Sequence, residues 1–193
     1  VEGFSTVTYK GTGANHYIGG AGFHPDLVWI KERGTAQQHN LFDTVRGANR
    51  AIHSQSTEAE EFLGGTQLTA FNTDGYTLNT DVGVNESAAT YVSWNWDMGA
   101  NSPTGFSAVN YKGAGGTQSF GDVGFSPDLV WIKGKDIGTD HHQLYDTVRG
   151  ATLALRSSGT EADETVATGL TKFDPNGFTV AGHQYTNRNT SLY

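Results

Sequence analysis

One charged pair occurs twice in this sequence, and it is the first feature that could support chemistry. Asp43 and Arg46 lie in the segment DTVRG, and Asp146 and Arg149 lie in an identical segment later in the chain. Such a pair could be catalytic, could bind a carbohydrate, or could be an ion pair that orders the loop after a strand. Because each pair precedes a glycine and the motif is used twice, we interpret the four residues as a structural repeat motif.

Four aromatic residues are candidates for ligand binding. Trp94 and Trp96 alternate in the segment VSWNW, so they share one face of a predicted strand. A flat aromatic face suits stacking on a sugar ring, although aromatics that share a face are more often core residues. Tyr17 and Tyr185 fall in predicted loops and could contribute to the same kind of site.

Motifs for catalysis and for transition metals are missing from the sequence. There is no cysteine, no G-x-S-x-G segment, no P-loop, and no H-x-H or H-E-x-x-H spacing. We therefore predict a protein that is not an enzyme, with no catalytic residue, no metal site and no cofactor. Calcium is an alternative that rests on composition, since it binds six to eight oxygen atoms and acidic loops supply them. The candidate ligands are Asp74, Asp81, Asp122 and Asp140.

Composition excludes several classes of protein. The chain has 193 residues, of which 20 are acidic and 12 are basic, so the formal net charge is −8. Nucleic-acid binding is not expected, because it requires clustered basic residues. Membrane insertion is not expected either, because no run of 18 apolar residues occurs. The 26 glycines and many aromatic residues favour short strands joined by tight turns.

The strands that must position these residues belong to an internal repeat, because the sequence contains two similar copies of one segment. Residues 22–31 recur as 124–133 with nine of ten positions identical, and LFDTVRGA recurs as LYDTVRGA. We predict a first repeat at 1–98, a linker at 99–105, and a second repeat at 106–193 that lacks the final strand. Either two sandwich domains in tandem or one larger sandwich with a pseudo-twofold would fit. A one-residue insertion before His142 predicts an exposed loop there.

Local patterns predict an all-β fold. The segment FSTVTYK alternates, with Val7 and Tyr9 on one face, and PDLVWIK predicts a buried strand with Trp29 in the core, as its copy does for Trp131. DPNG at 174–177 predicts a hairpin turn of the four-residue type with a bulge. T-x-x-E at 57–60 predicts one or two helical turns. The class is a β-sandwich of the jelly-roll kind, in tandem.

The repeated segments together resemble a known family. GFxPDLVWIK, then DTVRGA, LTxF and TYVSWNW, resemble in order and spacing a β-sandwich domain of unknown function found in tail-fibre and virion-associated proteins of tailed, often marine, bacteriophages. The resemblance covers both copies. It implies a tandem sandwich in a large surface-exposed protein, and it carries no catalytic or ligand residues with it.

Two functions follow as expectations. The first is a structural or assembly module of a phage tail fibre, a virion decoration or an extracellular filament, which a neighbouring chain or the N-terminal segment could complete by strand addition. Its partners would be identical subunits or other virion or filament subunits, at the virion surface or outside the cell. The second is a lectin-like module that attaches to a host-surface glycan.

Overall fold

Strands make up almost all of the regular structure. The computed structural model describes residues 3–99 and 105–193, and within them it has sixteen strands and two short helices. The all-β prediction is therefore confirmed. Of the predicted linker at 99–105, residues 100–104 lie outside the described residues. No helix in the described part of the chain is long and apolar enough to cross a bilayer.

The chain forms two compact units. The first comprises Val1–His53 and Glu61–Phe106, and the second comprises Ser54–Glu60 and Ser107–Tyr193. Each unit has its own hydrophobic core, built from its own residues. The structure is therefore two sandwiches in tandem rather than one pseudo-symmetric sandwich, and a short segment of the first repeat belongs to the second unit.

The first unit contains a six-stranded and a three-stranded antiparallel sheet. Its elements are β1 (Phe4–Lys10), β2 (His16–Gly19), β3 (Leu27–Glu32), β4 (Asn40–Asp43), β5 (Arg50–His53), β6 (Glu61–Phe62), β7 (Leu68–Asn72), β8 (Gly75–Leu78), α1 (Val82–Asn85) and β9 (Thr90–Trp96). The larger sheet has the order β1-β9-β3-β4-β5-β6, and the smaller has the order β2-β8-β7. Both sheets supply the core: Val28, Ile30 and Phe42 from one, Leu68 and Tyr76 from the other. That is the arrangement of a β-sandwich.

The second unit repeats most of these elements. They are β10 (Gln118–Phe120), β11 (Leu129–Ile132), β12 (Gln143–Asp146), β13 (Leu153–Ala154), β14 (Glu164–Thr165), β15 (Leu170–Asp174), β16 (Gly177–Val180) and α2 (Gln184–Asn187). The strands pair as β10-β16-β15, β11-β12 and β13-β14. A bridge from Leu144 to Leu155 links β12 to the β13 side, as β4 and β5 are linked in the first unit.

The alternation predicted for β1 is confirmed. Val7 and Tyr9 pack against the core of the first unit, while Phe4 and Lys10 lie on the other face and are exposed. The prediction for β3 was wrong in part. Val28 and Ile30 are fully buried, but Trp29 is half-buried on the outer face of the sheet, and Trp131 in β11 is half-buried as well. A continuous apolar run does not distinguish a strand covered on both faces from one covered on a single face.

The hairpin predicted at 174–177 is confirmed, and its counterpart forms at 72–75 in the first copy. The predicted four-residue type was wrong, because Asp174 pairs with Gly177 and Asn72 with Gly75, so each loop has two residues. A register shift lies in the first strand of each hairpin rather than in the turn. Gly75 has φ of +132°, and a Cβ there would lie 1.9 Å from the carbonyl oxygen of Ile18. The glycine is required because the backbone of β2 passes that close.

The predicted helix start at T-x-x-E was wrong. Residues 57–60 contain no helix, and Ser56 instead donates to the Glu58 carboxylate at 2.8 Å. The helices occur later, as single turns that begin at Asp81 and His183. A capping signal favours a helix only when an apolar face follows that tertiary packing can bury.

Candidate functional site

The DTVRG segments form clamps that close a loop. Arg46 donates through Nε to the Asp43 carboxylate at 2.5 Å and through Nη2 to the carbonyl of Leu41 at 2.9 Å. Its backbone amide donates to the other Asp43 oxygen at 2.8 Å, and Gly47 turns the chain at φ of +94°. The guanidinium is therefore occupied by groups of its own loop, which is the geometry of a structural motif.

The second copy repeats the clamp. Arg149 donates through Nε to Asp146 at 2.7 Å and through Nη2 to the carbonyl of Leu144 at 3.0 Å. The amide and the guanidinium of Arg149 lower the pKa of the Asp146 carboxyl, because both donate to the charged form. Two copies with the same bonds point to a shared role in folding.

Trp94 and Trp96 lie on the outer face of the larger sheet. Both side chains are half-buried, while Ser93 and Asn95 on the opposite face of β9 are fully buried. Trp94 lies 5.3 Å from Trp29 between ring centroids, in a tilted arrangement. We call Trp29, Trp94 and Trp96 the tryptophan row. As the alternation in the sequence predicts, the two β9 tryptophans share one face of the strand. That face is the outer face of the sheet, so the two residues are not core residues.

Tyr17 is an exposed residue that does not belong to the tryptophan row. Its side chain is 53% exposed, and its hydroxyl donates to the carbonyl of Asp74 at 3.1 Å. Its ring covers Gly19, where a Cβ would lie 2.9 Å from a ring carbon. Tyr17 therefore lies in β2 rather than in the predicted loop, and its hydroxyl contacts the turn between β7 and β8.

Tyr185 lies in a cluster of charged and aromatic side chains in the second unit. His141 and His183 contact its ring edge-on, at centroid distances of 5.6 and 5.2 Å. The guanidinium of Arg156 lies over the ring at 5.6 Å and also pairs with Glu164. Burial lowers the pKa of His183, and Glu164 opposes this effect.

The cluster around Tyr185 could have been found by comparing the two copies. Gly83 occupies the position of Tyr185 in the first unit, and His53 occupies that of Arg156. His53 there lies 3.3 Å from Glu61, which corresponds to Glu164. No motif within a single segment predicts the cluster, because its residues come from separate elements of the second unit.

The candidate calcium ligands lie in different places. Asp74 accepts from the amides of Gly20 and Gly22, Asp81 caps α1, and Asp140 is fully buried beside Arg188 at 3.0 Å. Asp122 is exposed. Within residues 3–99 and 105–193, no group of three or more acidic or histidine side chains could hold a metal ion.

The loop predicted before His142 is exposed at Asp136, Gly138 and Thr139, but His142 itself is buried. His142 is 1% exposed, and its Nδ1 accepts from the Trp131 indole at 2.8 Å. The one-residue insertion therefore leaves the histidine side chain packed against Trp131 of β11.

A position beside β11 distinguishes the second unit from the first. In the first unit, β9 pairs with β1 on one side and with β3 on the other. In the second unit, Leu192 bridges Lys112, and Tyr193 exchanges backbone hydrogen bonds with Tyr111 at 3.1 and 2.9 Å. Among the described residues, β11 pairs with β12.

Comparison with known proteins gives a family and no function. A family model described as a domain of unknown function, DUF7483, matches residues 2–105 and again residues 101–193. No curated protein and no solved structure was found to match the chain. The two matches agree with the two sandwich units and span nearly the whole sequence. The chain therefore belongs to the family of the domain of unknown function DUF7483 and contains two copies of that domain.

Proposed function

We propose that this protein is a non-enzymatic structural module, in which tandem sandwich units are part of a larger assembly. The observation that carries the proposal is the presence of two copies of one sandwich domain, each with its own hydrophobic core. Repeated modules of this kind build length.

The biological setting of the proposal is a phage tail fibre, a virion decoration or an extracellular filament. The resemblance of the repeated sequence segments to a domain of virion proteins supports it, and so does the tandem arrangement, since repeated modules build length. Partners would be further copies or other virion or filament subunits, at the virion surface or outside the cell.

Light scattering and electron microscopy of the full chain test the assembly. Both measurements should show oligomers whose size increases with protein concentration. A chain that is monomeric at all concentrations would overturn the proposal.

A second candidate function is carbohydrate binding at the tryptophan row, for attachment to a host-surface glycan. It is favoured by the partial exposure of Trp29, Trp94 and Trp96 on one sheet face, because indole rings stack on sugars. A glycan array should then show binding that Trp94→Ala abolishes and Phe62→Ala preserves, since Phe62 is a 65% exposed aromatic on a different strand. Binding that is absent, or equal in both variants, would exclude this function.

A further inference from the structure

We propose that the first sandwich contains an internal binding site for an ordered water molecule, built by Tyr76 of β8 and by Ser93 and Asn95 of β9. The water would hydrogen-bond to side chains of both sheets and so link the two layers of the sandwich. The site lies within one unit, so it does not depend on the assembly proposed above.

The inner face of β9 is polar although the strand carries two tryptophans. Ser93 and Asn95 are fully buried on that face, while Trp94 and Trp96 are half-buried on the outer face. Burial of a hydroxyl and an amide costs free energy unless their polar atoms find hydrogen-bond partners. The inner face of β9 therefore requires such partners inside the sandwich.

Groups of the protein meet only part of this requirement. Asn95 donates through Nδ2 to the Ser93 hydroxyl oxygen at 3.3 Å and to the carbonyl of Ser5 at 3.4 Å. The Asn95 Oδ1 atom is buried and has no hydrogen-bond partner within residues 3–99 and 105–193. The Ser5 hydroxyl, which the strand register places opposite Asn95, is likewise buried without a partner there. Two polar atoms on neighbouring strands are thus available to a further molecule.

The opposing sheet supplies a third unpaired polar atom. Tyr76 is fully buried in β8, and its hydroxyl makes no hydrogen bond within the described part of the chain. Burial raises the pKa of Tyr76, and the nearby Ser93 and Tyr9 oppose that rise. Tyr9 itself donates to the carbonyl of Val84 at 2.7 Å. The Tyr76 hydroxyl therefore lies near Ser93 without a direct bond to it, which is the arrangement that a bridging water completes.

Water is the ligand that this set of groups fits. The pairing neighbours of Ser93 and Asn95 on β3 are Ile30 and Val28, which are both fully buried and apolar. The site therefore offers a few neutral polar atoms in apolar surroundings. A buried water typically makes about three hydrogen bonds to groups of this kind, and it can donate to the Asn95 oxygen while it accepts from the Tyr76 hydroxyl.

The melting temperature of Tyr76→Phe tests the site by its sign. Phe178 of the second sandwich pairs with Phe120 as Tyr76 pairs with Ile18, so the fold accepts phenylalanine at this place. If the hydroxyl binds water, its removal should lower the melting temperature of the full chain by about 4–8 °C. In a dry interior the same change should raise it, because a buried hydroxyl without a partner destabilises the protein. An unchanged or raised melting temperature would overturn the inference.

Oxygen-17 relaxation dispersion of the solvent counts the water directly, since it detects molecules that stay bound for longer than the protein takes to rotate. Tyr76→Phe combined with Asn95→Val should lose about one such molecule relative to the unmodified chain. If the double variant does not fold, Tyr76→Phe is measured instead. The matched control Tyr17→Phe removes the hydroxyl of a 53% exposed side chain and should leave the count unchanged. An equal count in the unmodified chain and the variant, or a loss that Tyr17→Phe reproduces, would refute the site.

Discussion

The two sandwiches share the tyrosines that support their short helix and differ in the residues of that helix, VGVN in the first unit and QYTN in the second. Tyr9 stacks on Tyr91 at 5.0 Å in the first unit, and Tyr111 stacks on Tyr193 at 5.0 Å in the second. Tyr91 and Tyr193 each donate to the first carbonyl of the helix, at 2.7 and 2.8 Å. The comparison shows that the support depends on the tyrosine pair and the backbone of the helix rather than on the helix side chains.

A second difference concerns a buried carboxylate near these tyrosines. In the first unit it comes from Glu32, which is 3% exposed and accepts from Thr35 at 2.6 Å. In the second unit Gly134 stands at that place, and Asp140 supplies a fully buried carboxylate instead. A Cβ at Gly134 would lie 2.6 Å from the Asp140 carboxylate, so the glycine and the aspartate fit together. The two copies therefore differ at two linked positions: where the glutamate is replaced by glycine, an aspartate elsewhere supplies the buried carboxylate.

The largest expected effect tests the shared part of the comparison. Asn85 and Asn187 are both fully buried, and each accepts from a backbone amide and donates to a backbone carbonyl. Asn85 donates additionally to Asn79 at 2.7 Å. We expect Asn85→Ala to lower the free energy of unfolding by about 3 kcal/mol and Asn187→Ala by about 2 kcal/mol. Urea denaturation measures both, and a larger loss for Asn187→Ala would contradict the bond count.

The next effect tests the exchanged carboxylate. Arg188 lies 3.0 Å from the buried Asp140, and it counteracts the rise in the Asp140 pKa that burial causes. We expect Arg188→Ala to destabilise the protein by about 2 kcal/mol, because it leaves a buried carboxylate without that partner. The matched variant Glu86→Ala, at the same place in the first unit, should change stability by less than about 0.5 kcal/mol. Equal losses in urea denaturation would refute the distinction.

A smaller effect tests a backbone position that the copies fill differently. Asn49 has φ of +64° and its counterpart Thr152 has φ of +72°. This left-handed region suits asparagine and strains a β-branched residue. We expect Thr152→Asn to stabilise by about 0.5–1 kcal/mol and Asn49→Thr to destabilise by a similar amount. Changes in melting temperature of the same sign for both variants would show that the strain argument fails.

The smallest effect is a dependence on pH near neutrality, which the histidine cap of the second helix should cause. His183 accepts from the Tyr185 amide through Nδ1 at 3.3 Å, where Asp81 accepts from the Gly83 amide at 2.9 Å. Burial lowers the pKa of His183 below that of an ordinary histidine, so the unfolded chain binds its proton more readily. Its contribution to stability is complete above about pH 6.5 and declines as the pH falls through that value.

The variant His183→Asp isolates this contribution from the other histidines. Its melting temperature should decline less than that of the unmodified chain between about pH 7.5 and pH 5.5, because an aspartate cap gains no proton there. At pH 7.5 the variant should gain about 0.5 kcal/mol or less, since aspartate is a good helix cap. Parallel melting curves for the two proteins across this range would contradict the assignment.

Sequence predicted those features that depend on neighbouring residues. The hairpins at 174–177 and 72–75 follow from turn chemistry, and the alternation of β1 follows from the period of a strand. Single-turn helices such as Val82–Asn85 have no periodic signal, because they are stabilised by a cap and by tyrosine hydroxyls distant in sequence.

The sequence by itself determined that the chain contains two copies of one all-β domain, because repetition and turn chemistry are local properties. Only the tertiary structure decided which face of β9 is buried. Ser93 and Asn95 point inward although Trp94 and Trp96 are more apolar, because Tyr9 and Tyr91 on the same inner face anchor the helix and fix the register. The contact of Tyr9 with Val84, 75 positions away in the sequence, and the pairing of β1 with β9 made that choice, and no local pattern contains them.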